Sequence, residues 1–549
     1  MSDNNNGRSP IQTFFDDLGQ ELKQIQQTAA DEWHALTVAL RNQTRQARDA
    51  YVDYIFLPIG GPLPERAYPP RTFIERQLPL PPPPLSMQTL NRRLRDIGDA
   101  ANVKGVVFVF RGFGCGLATL QNVRRAMKRL KEAGKETIVF TPYLDLRHYY
   151  TAVAADKVII PPGAPFEVLG LRSEVVFLKD ALNRIGVQAE AIQISPYKTG
   201  PNMFSQSGLT PEHEEQINWL LDDWYDLITA EIAADRGLTQ AEVQAHINQS
   251  PLFAEQALAT GLVDDLAYED ELAELLAAPP EKKDEAEAKP EADEEIERKK
   301  PKAKLLVWSK ARPLLMEKSR RRSTQIIGVI SLEGVIMMGT SRQSPIDVPL
   351  PIGDEQTAGE QTLVGLLRRA ERNKDLAALV FHVDSGGGSG LASALIAREI
   401  KRIAEKKPVV VYMGNSAASG GYFVSAPAQH IMSQTATVTG SIGVWSLHVA
   451  TDGLYQLLSV NRASLQRGDR AGLYSDDAPL TPENREVLWQ SIVDHYQKFK
   501  QVVADGRHLP FDELDPICEG RVWNGRQALE RQLVDSHGDF MDAVKKAAD

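Results

Sequence analysis

Two stretches of this chain repeat one another. NVKGVVFVFRGFGCGLATLQNVRRAMKRLKEAGKETIVF (Asn102 to Phe140) and DLAALVFHVDSGGGSGLASALIAREIKRIAEKKPVVVY (Asp375 to Tyr412) each read as an apolar strand, a Gly-rich turn, an amphipathic helix and a second apolar strand. The correspondence continues in order. LRHYYTAVAADKVI lies against SGGYFVSAPAQHIM, and QALATGLVD from Gln256 lies against QALERQLVD from Gln527. A period this long excludes a solenoid and indicates a tandem duplication of one α/β domain. Each copy is expected to be built of right-handed βαβ units on mostly parallel strands.

Between the copies runs PPEKKDEAEAKPEADEEIERKKPKAK, Pro279 to Lys304, with one Ile and no aromatic residue. It buries too little apolar area to offset the entropy of ordering, so it reads as a charged, disordered linker. A second punctuation, LPLPPPPLS (Leu78 to Ser86), reads as a stiff polyproline-like connection. The expected organisation is therefore an N-terminal helical segment with its Pro-rich connection over 1–86 and a first domain over 87–278. The linker over 279–304 and a second domain over 305–549 complete it. Within the first segment, Ile11, Phe14, Phe15, Leu18, Leu22 and Ile25 recur at helical spacing. They predict an amphipathic helix over about residues 11–50 that packs on the body of the protein or on a neighbouring subunit. The sharper alternative is a helix lying on a membrane surface, which Asp16, Asp17 and Glu21 weaken.

The balance of charges bounds the function. A net charge of −11 argues against a nucleic-acid partner, because there is no excess of Lys and Arg to neutralise phosphates. Two distant cysteines, Cys115 and Cys518, make neither a disulfide framework nor zinc-type spacing and read as packing residues, so no metal and no cofactor is expected. The N-terminus has no secretory signal pattern, and no run reaches the ~20 apolar residues of a spanning helix. The sequence thus points to a cytoplasmic protein or one peripheral to a membrane.

The duplication also works as an internal comparison. In MGNSAASGGYFVSAPA, Ser419 sits at a strand-to-helix turn where a serine can be a nucleophile or plain turn punctuation. Ser419 faces Leu146 of the other copy, and Gly420-Gly421 face Arg147-His148. The turn DSGGGSG (Asp384 to Gly390) faces RGFGCG. Only the C-terminal copy pairs a candidate nucleophile with a turn whose backbone N–H groups can approach an oxyanion. DSGGGSG lacks the signature of a phosphate loop.

A serine nucleophile needs a base. Of ten histidines, His430 and His448 follow Ser419 most closely; His430 reads as a turn position and His448 as a core histidine. The alternative is a desolvated lysine. The first copy offers Lys198 in SPYKTGPN, where the second has Asp469 or Arg470, and arginine cannot serve as a base. One copy has a lysine without the serine, the other a serine without a usable lysine.

FHVDSGGGSG, NSAASGGYFVSAPA, TVTGSIGVW and GRVWNGRQALERQLVDSHGDF, with SPYKTGPN in the first copy, resemble the long, duplicated form of the signal peptide peptidase A family. These are serine peptidases of Clp/crotonase-type fold, and the resemblance covers most of residues 90–278 and 325–549. It implies tandem Clp/crotonase-like domains with Ser419 as nucleophile, Lys198 as general base and Ser441 as the serine that orients the lysine. It further implies Gly387 and Gly420 as oxyanion-hole N–H donors. The implied activity is cleavage of small apolar peptides, such as released signal peptides, by a ring- or dome-like homo-oligomer, with a tetramer expected. Two other classes fit the fold: a non-catalytic peptide-holding scaffold at a membrane-protein complex, and a crotonase-type acyl-CoA enzyme. The sequence departs from the family where Gly386 replaces a proline of the turn, in the missing N-terminal transmembrane segment, and in the elaborate linker.

Overall fold

A computed structural model describes residues 10–277 and 301–549, except 72, 74, 75, 78, 80, 322, 324 and 343–355, with side chains from residue 27 onward. The charged linker reading falls almost wholly outside the described residues. The chain divides into two compact units. One comprises Met1–Cys115, Val123–Leu169 and Ile232–Ile326; the other comprises Gly116–Asn122, Gly170–Glu231 and Ile327–Asp549.

In the first unit, apolar runs form a six-stranded sheet in the order Leu305–Val307, Val52–Gly61, Val103–Phe113, Glu136–Phe140, Lys157–Ile160 and Asp265–Leu266. Every neighbouring pair in it is parallel. Central strands of such a sheet are covered on both faces, which is why VVFVF and TIVF are apolar without alternation. Tyr54, Val107, Val109, Ile138, Phe140 and Ile159 make the core on one side. The expected N-terminal helix runs over Pro10–Ala47. Its end is pinned: Val38 is buried, Asn42 Nδ2 donates to the Glu317 carbonyl at 2.8 Å, and Arg45 pairs with the Glu317 carboxylate at 2.7 Å. Trp33, Leu36 and Leu40 of the same helix face solvent. Among the described residues, no helix is long and apolar enough to cross a membrane.

The second unit repeats the plan. Its main strands run Ile326–Glu333, Leu376–Ser385, Val409–Ala418, His430–Ser433 and Ser536–His537. From Leu376–Ser385 onward the neighbours are parallel. The tandem α/β organisation with parallel strands is as the repeat predicts. Helix Gly390–Ala404 follows its Gly-rich turn, capped by Ser389, whose hydroxyl accepts from the Ala392 N–H. It buries Ala392, Ile396, Ile400 and Ile403 against Leu379, Phe381, Val409 and Val411.

Two features position the later chemistry. Strand Val409–Ala418 is long enough to pair twice: its first half with His430–Ser433 and its second half with Val438–Gly440. Separately, Gln188–Gln193 forms an antiparallel ribbon with Trp445–Ala450, so the segment after residue 193 is built into this unit. That ribbon packs through Ile192 on Leu488 and Ile492 of helix Pro482–Arg507.

Phe381 is fully buried at the centre of this core. Phe381→Ala is expected to destabilise the unit by about 3–5 kcal/mol, read as a lower denaturation midpoint with unchanged slope.

Candidate active site

The Ala418–Gly440 register places two serines side by side. Ser419 and Ser441 each follow one member of that pair, and the Ser419 N–H donates to the Gly440 carbonyl at 2.9 Å. Both leave the strands with positive φ, 53° and 51°. Such backbone costs a non-glycine residue about 1–3 kcal/mol and persists only where the surroundings impose it. Ser419 precedes the short helix Gly420–Ser425, yet its side chain makes no capping bond. The hydroxyl is left for another partner.

That partner is Lys198. From the ribbon strand Gln188–Gln193 the chain continues with the Ile194 N–H donating to the Val444 carbonyl at 3.1 Å, then turns at Ser195–Lys198. Lys198 Nζ donates at 3.0 Å to Ser419 Oγ, at 2.8 Å to Ser441 Oγ and at 2.7 Å to the Ser441 carbonyl. The residue is 3% exposed. Burial alone lowers its pKa from 10.5 to about 7. An amine in that range is neutral in a large fraction near neutral pH, and its lone pair can accept a proton.

On the other side of Ser419 stands the glycine turn. Gly387 has φ 108°, and a Cβ there would lie 2.8 Å from the Gly420 nitrogen and 2.9 Å from Ser419 Cβ, so only glycine fits. The Gly387 N–H donates to Ser385 Oγ at 3.1 Å, and Ser385 Oγ donates to the Gly334 carbonyl at 2.6 Å. The bridge between Gly388 and Ile336 runs through the Gly387 carbonyl and the Ser389 N–H. Among the described residues, the Gly388 and Gly420 N–H groups therefore have no hydrogen-bond partner. Gly386, where the family has proline, has open space at its Cβ position.

The histidines weighed as alternative bases lie with other partners. His430 Nε2 bonds Ser536 Oγ at 2.8 Å, and His448 Nε2 bonds the Ala478 carbonyl at 2.8 Å. Cys115 and Cys518 are free and buried, and burial pushes their thiols up to about 11 and about 12. In the first unit, the place aligned with Gly420-Gly421 is filled. His148 is buried, bonded through Nδ1 to Asp145 at 2.7 Å and through Nε2 to the Arg111 carbonyl at 3.1 Å, and packed against Phe113 and Tyr143.

The model of peptidase family S49 matches residues 129–282 and 401–549, more than half the chain. The chain belongs to peptidase family S49. It is 28% identical over 461 residues to "Serine protease SPPA, chloroplastic" of Arabidopsis thaliana, covering 84% of this chain and 65% of that one. To "Protease 4" of Haemophilus influenzae it is 28% identical over 463 residues, covering 82% and 70%. To "Protease 4" of Salmonella typhi the identity is 28% over 475 residues, covering 83% and 70%. The chain thus spans about two thirds of the length of these relatives. A ClpP1 mutant from Listeria monocytogenes is matched over 34% of this chain and 86% of its own, at 14% identity and a TM-score of 0.24.

Burial of the Lys198 amine has a consequence that needs no substrate. Between pH 7 and 10.5 the unfolded chain holds a proton on this amine that the folded one has lost, so this group's contribution to stability rises with pH across that window. Thermal denaturation of the native chain and Lys198→Met, compared at pH 7 and pH 10, is expected to favour the native chain increasingly at the higher pH. A difference that does not move with pH would mean that the amine is not desolvated.

Proposed function

We propose that this S49 protein is a serine endopeptidase in which Ser419 is the nucleophile and Lys198 the general base. The observation that carries the reading is the buried Lys198 Nζ 3.0 Å from Ser419 Oγ, with no carboxylate or imidazole bonded to either among the described residues. A lysine without a counter-charge in such a place stays neutral enough to take a proton, whereas a salt-bridged one would not. Ser441 orients it, since its hydroxyl and carbonyl fix the other Nζ directions.

In the reaction the Ser419 Oγ–H proton passes to Nζ as Oγ bonds to the scissile carbonyl carbon. The oxyanion takes hydrogen bonds from the Gly420 N–H and from the glycine turn. There Gly388 offers an unpartnered N–H, and Gly387 joins by exchanging its bond to Ser385. As the C–N bond breaks, the ammonium returns its proton to the leaving amine. Water then attacks the acyl-enzyme by the same route. The ligand class is an extended peptide with small or hydrophobic side chains, released signal peptides among them, taken by a homo-oligomer. The names of the relatives, "Protease 4" and "Serine protease SPPA, chloroplastic", support a peptidase over a scaffold or an acyl-CoA enzyme.

Ser419→Ala and Lys198→Ala are each expected to lower hydrolysis of a small apolar peptide by 10³-fold or more, on the order of losing a nucleophile or its base. A fluorophosphonate should label the native chain at Ser419 and leave Lys198→Ala almost unlabelled. Labelling of that variant at the native rate would overturn the pairing.

The base must be deprotonated, so the rate should rise with pH through about 7 and level off in the alkaline range. At one pH unit below the apparent pKa it should be about a tenth of the plateau. A profile that is flat from pH 6 to 9 would contradict a lysine base.

A further inference from the structure

Lys198 lies on a short turn, and its amine stays beside Ser419 Oγ only while that turn is held. The segment Glu519–Val522 holds it from one side. Ser195 Oγ donates to the Glu519 carbonyl, and the Arg521 guanidinium lies 4.1 Å over the Tyr197 ring. Gly520 packs directly against Lys198: a Cβ there would meet Lys198 Cα and Cβ at 2.6 Å. The same segment also grips Ser441. The Ser441 N–H donates to the Arg521 carbonyl at 2.7 Å, and the Gly520 N–H donates to the Ile442 carbonyl at 2.8 Å. One backbone segment thus brackets both the lysine and the serine that orients it.

Gln216, on helix Pro211–Arg236, closes the bracket. It is buried, 4% exposed. Its Oε1 accepts from the Val522 N–H at 3.0 Å, and its Nε2 donates to Thr199 Oγ1 at 3.0 Å. The amide orientation is unambiguous, because a backbone N–H can only donate. Three residues on, Trp219 donates its indole N–H to the Val522 carbonyl at 2.9 Å and stacks between Tyr197 and Trp523, with centroids at 6.0 and 5.0 Å. Both backbone polar groups of Val522 are therefore bonded to this helix. A buried amide is costly unless its groups are paired, and here the pairing joins the residue after Lys198 to the segment that grips Ser441.

We propose that Gln216 is a positioning residue for this site: by tying Thr199 to Val522 it fixes the Lys198 turn in the bracket and keeps Nζ within reach of Ser419 Oγ. The proposal rests on the Ser419–Lys198 reading above. The function of Gln216 is geometric. It touches no reacting atom, and its removal should loosen the turn and let water reach the amine.

The test uses the full chain with three substitutions. Gln216→Leu removes both bonds, and Thr199→Val removes one of them from the opposite end at nearly constant shape. Gln216→Glu can still accept from the Val522 N–H and from a reoriented Thr199 hydroxyl. The readouts are kcat and KM on a fluorogenic peptide with small apolar side chains, and the pH dependence of fluorophosphonate labelling at Ser419. Gln216→Leu is expected to lose roughly tenfold or more in kcat, with KM within about twofold, as for a misplaced catalytic group. Its labelling profile should move to higher pH as the amine rehydrates. Thr199→Val should shift the same way to a smaller extent, and Gln216→Glu should recover most of kcat at alkaline pH. Native labelling rates with an unmoved profile in both Gln216→Leu and Thr199→Val would overturn the proposal. If Gln216→Leu fails to fold, Thr199→Val decides alone. Lys198→Ala in parallel separates the two readings. If it labels normally the Ser419–Lys198 pairing fails; if it is dead while Gln216→Leu is native-like, only the role of Gln216 fails.

Discussion

The site depends on keeping one amine dry. An ordinary lysine prefers water to a packed interior by several kcal/mol when charged. Lys198 is held inside nonetheless, with its three hydrogen-bond directions taken by Ser419 and the two oxygens of Ser441. Among the described residues no negative charge offsets its desolvation, and the pKa falls. The architecture around it serves that end. A doubled strand pairing sets the two serines, the Gln188–Gln193 ribbon delivers the lysine, and the Glu519–Val522 segment closes behind it.

The first repeat shows what the same local plan becomes without such a demand. Its strand-to-helix step is intact, with Asp145 capping helix Leu146–Ala152. Where the second repeat has two glycines, it carries Arg147 and His148, and the imidazole has both nitrogens bonded and three aromatic rings beside it. A histidine so occupied is a core residue. In one copy glycines let the neighbours close in, since a Cβ would meet Ser393 Oγ at 2.5 Å and the Ser385 carbonyl oxygen at 2.6 Å; in the other a histidine side chain fills the corresponding place.

Much of this was legible in the sequence, for identifiable reasons. Apolar strand runs and the amphipathic helix after each Gly-rich turn follow from local periodicity, and the repeat doubled their weight. The sequence points to Ser419, Lys198 and, only through family resemblance, Ser441, and the structure brings all three together. The segment bearing Lys198 was less legible. By sequence order it belongs to the first copy, whereas its strand Gln188–Gln193 pairs with Trp445–Ala450 in the second unit. Ribbon pairing across about 250 residues leaves no local signal. Gln216, Ser195 and Gly520 carry no local signal for the same reason: their meaning lies in partners remote in the chain. The engaged Gly387 N–H was hidden too, because it turns on the rotamer of Ser385.

Ser419 and Ser441 share one register, Ala418 opposite Gly440. A single inserted or deleted residue in either strand would shift one serine a full step along the ladder and turn its side chain to the opposite face. The length of this region is therefore constrained as tightly as its glycines, Gly440 among them, whose φ of 74° and contact with Trp523 leave no room for a Cβ. Val438–Gly440, three residues long and paired on both edges, works as a ruler whose unit is one amino acid.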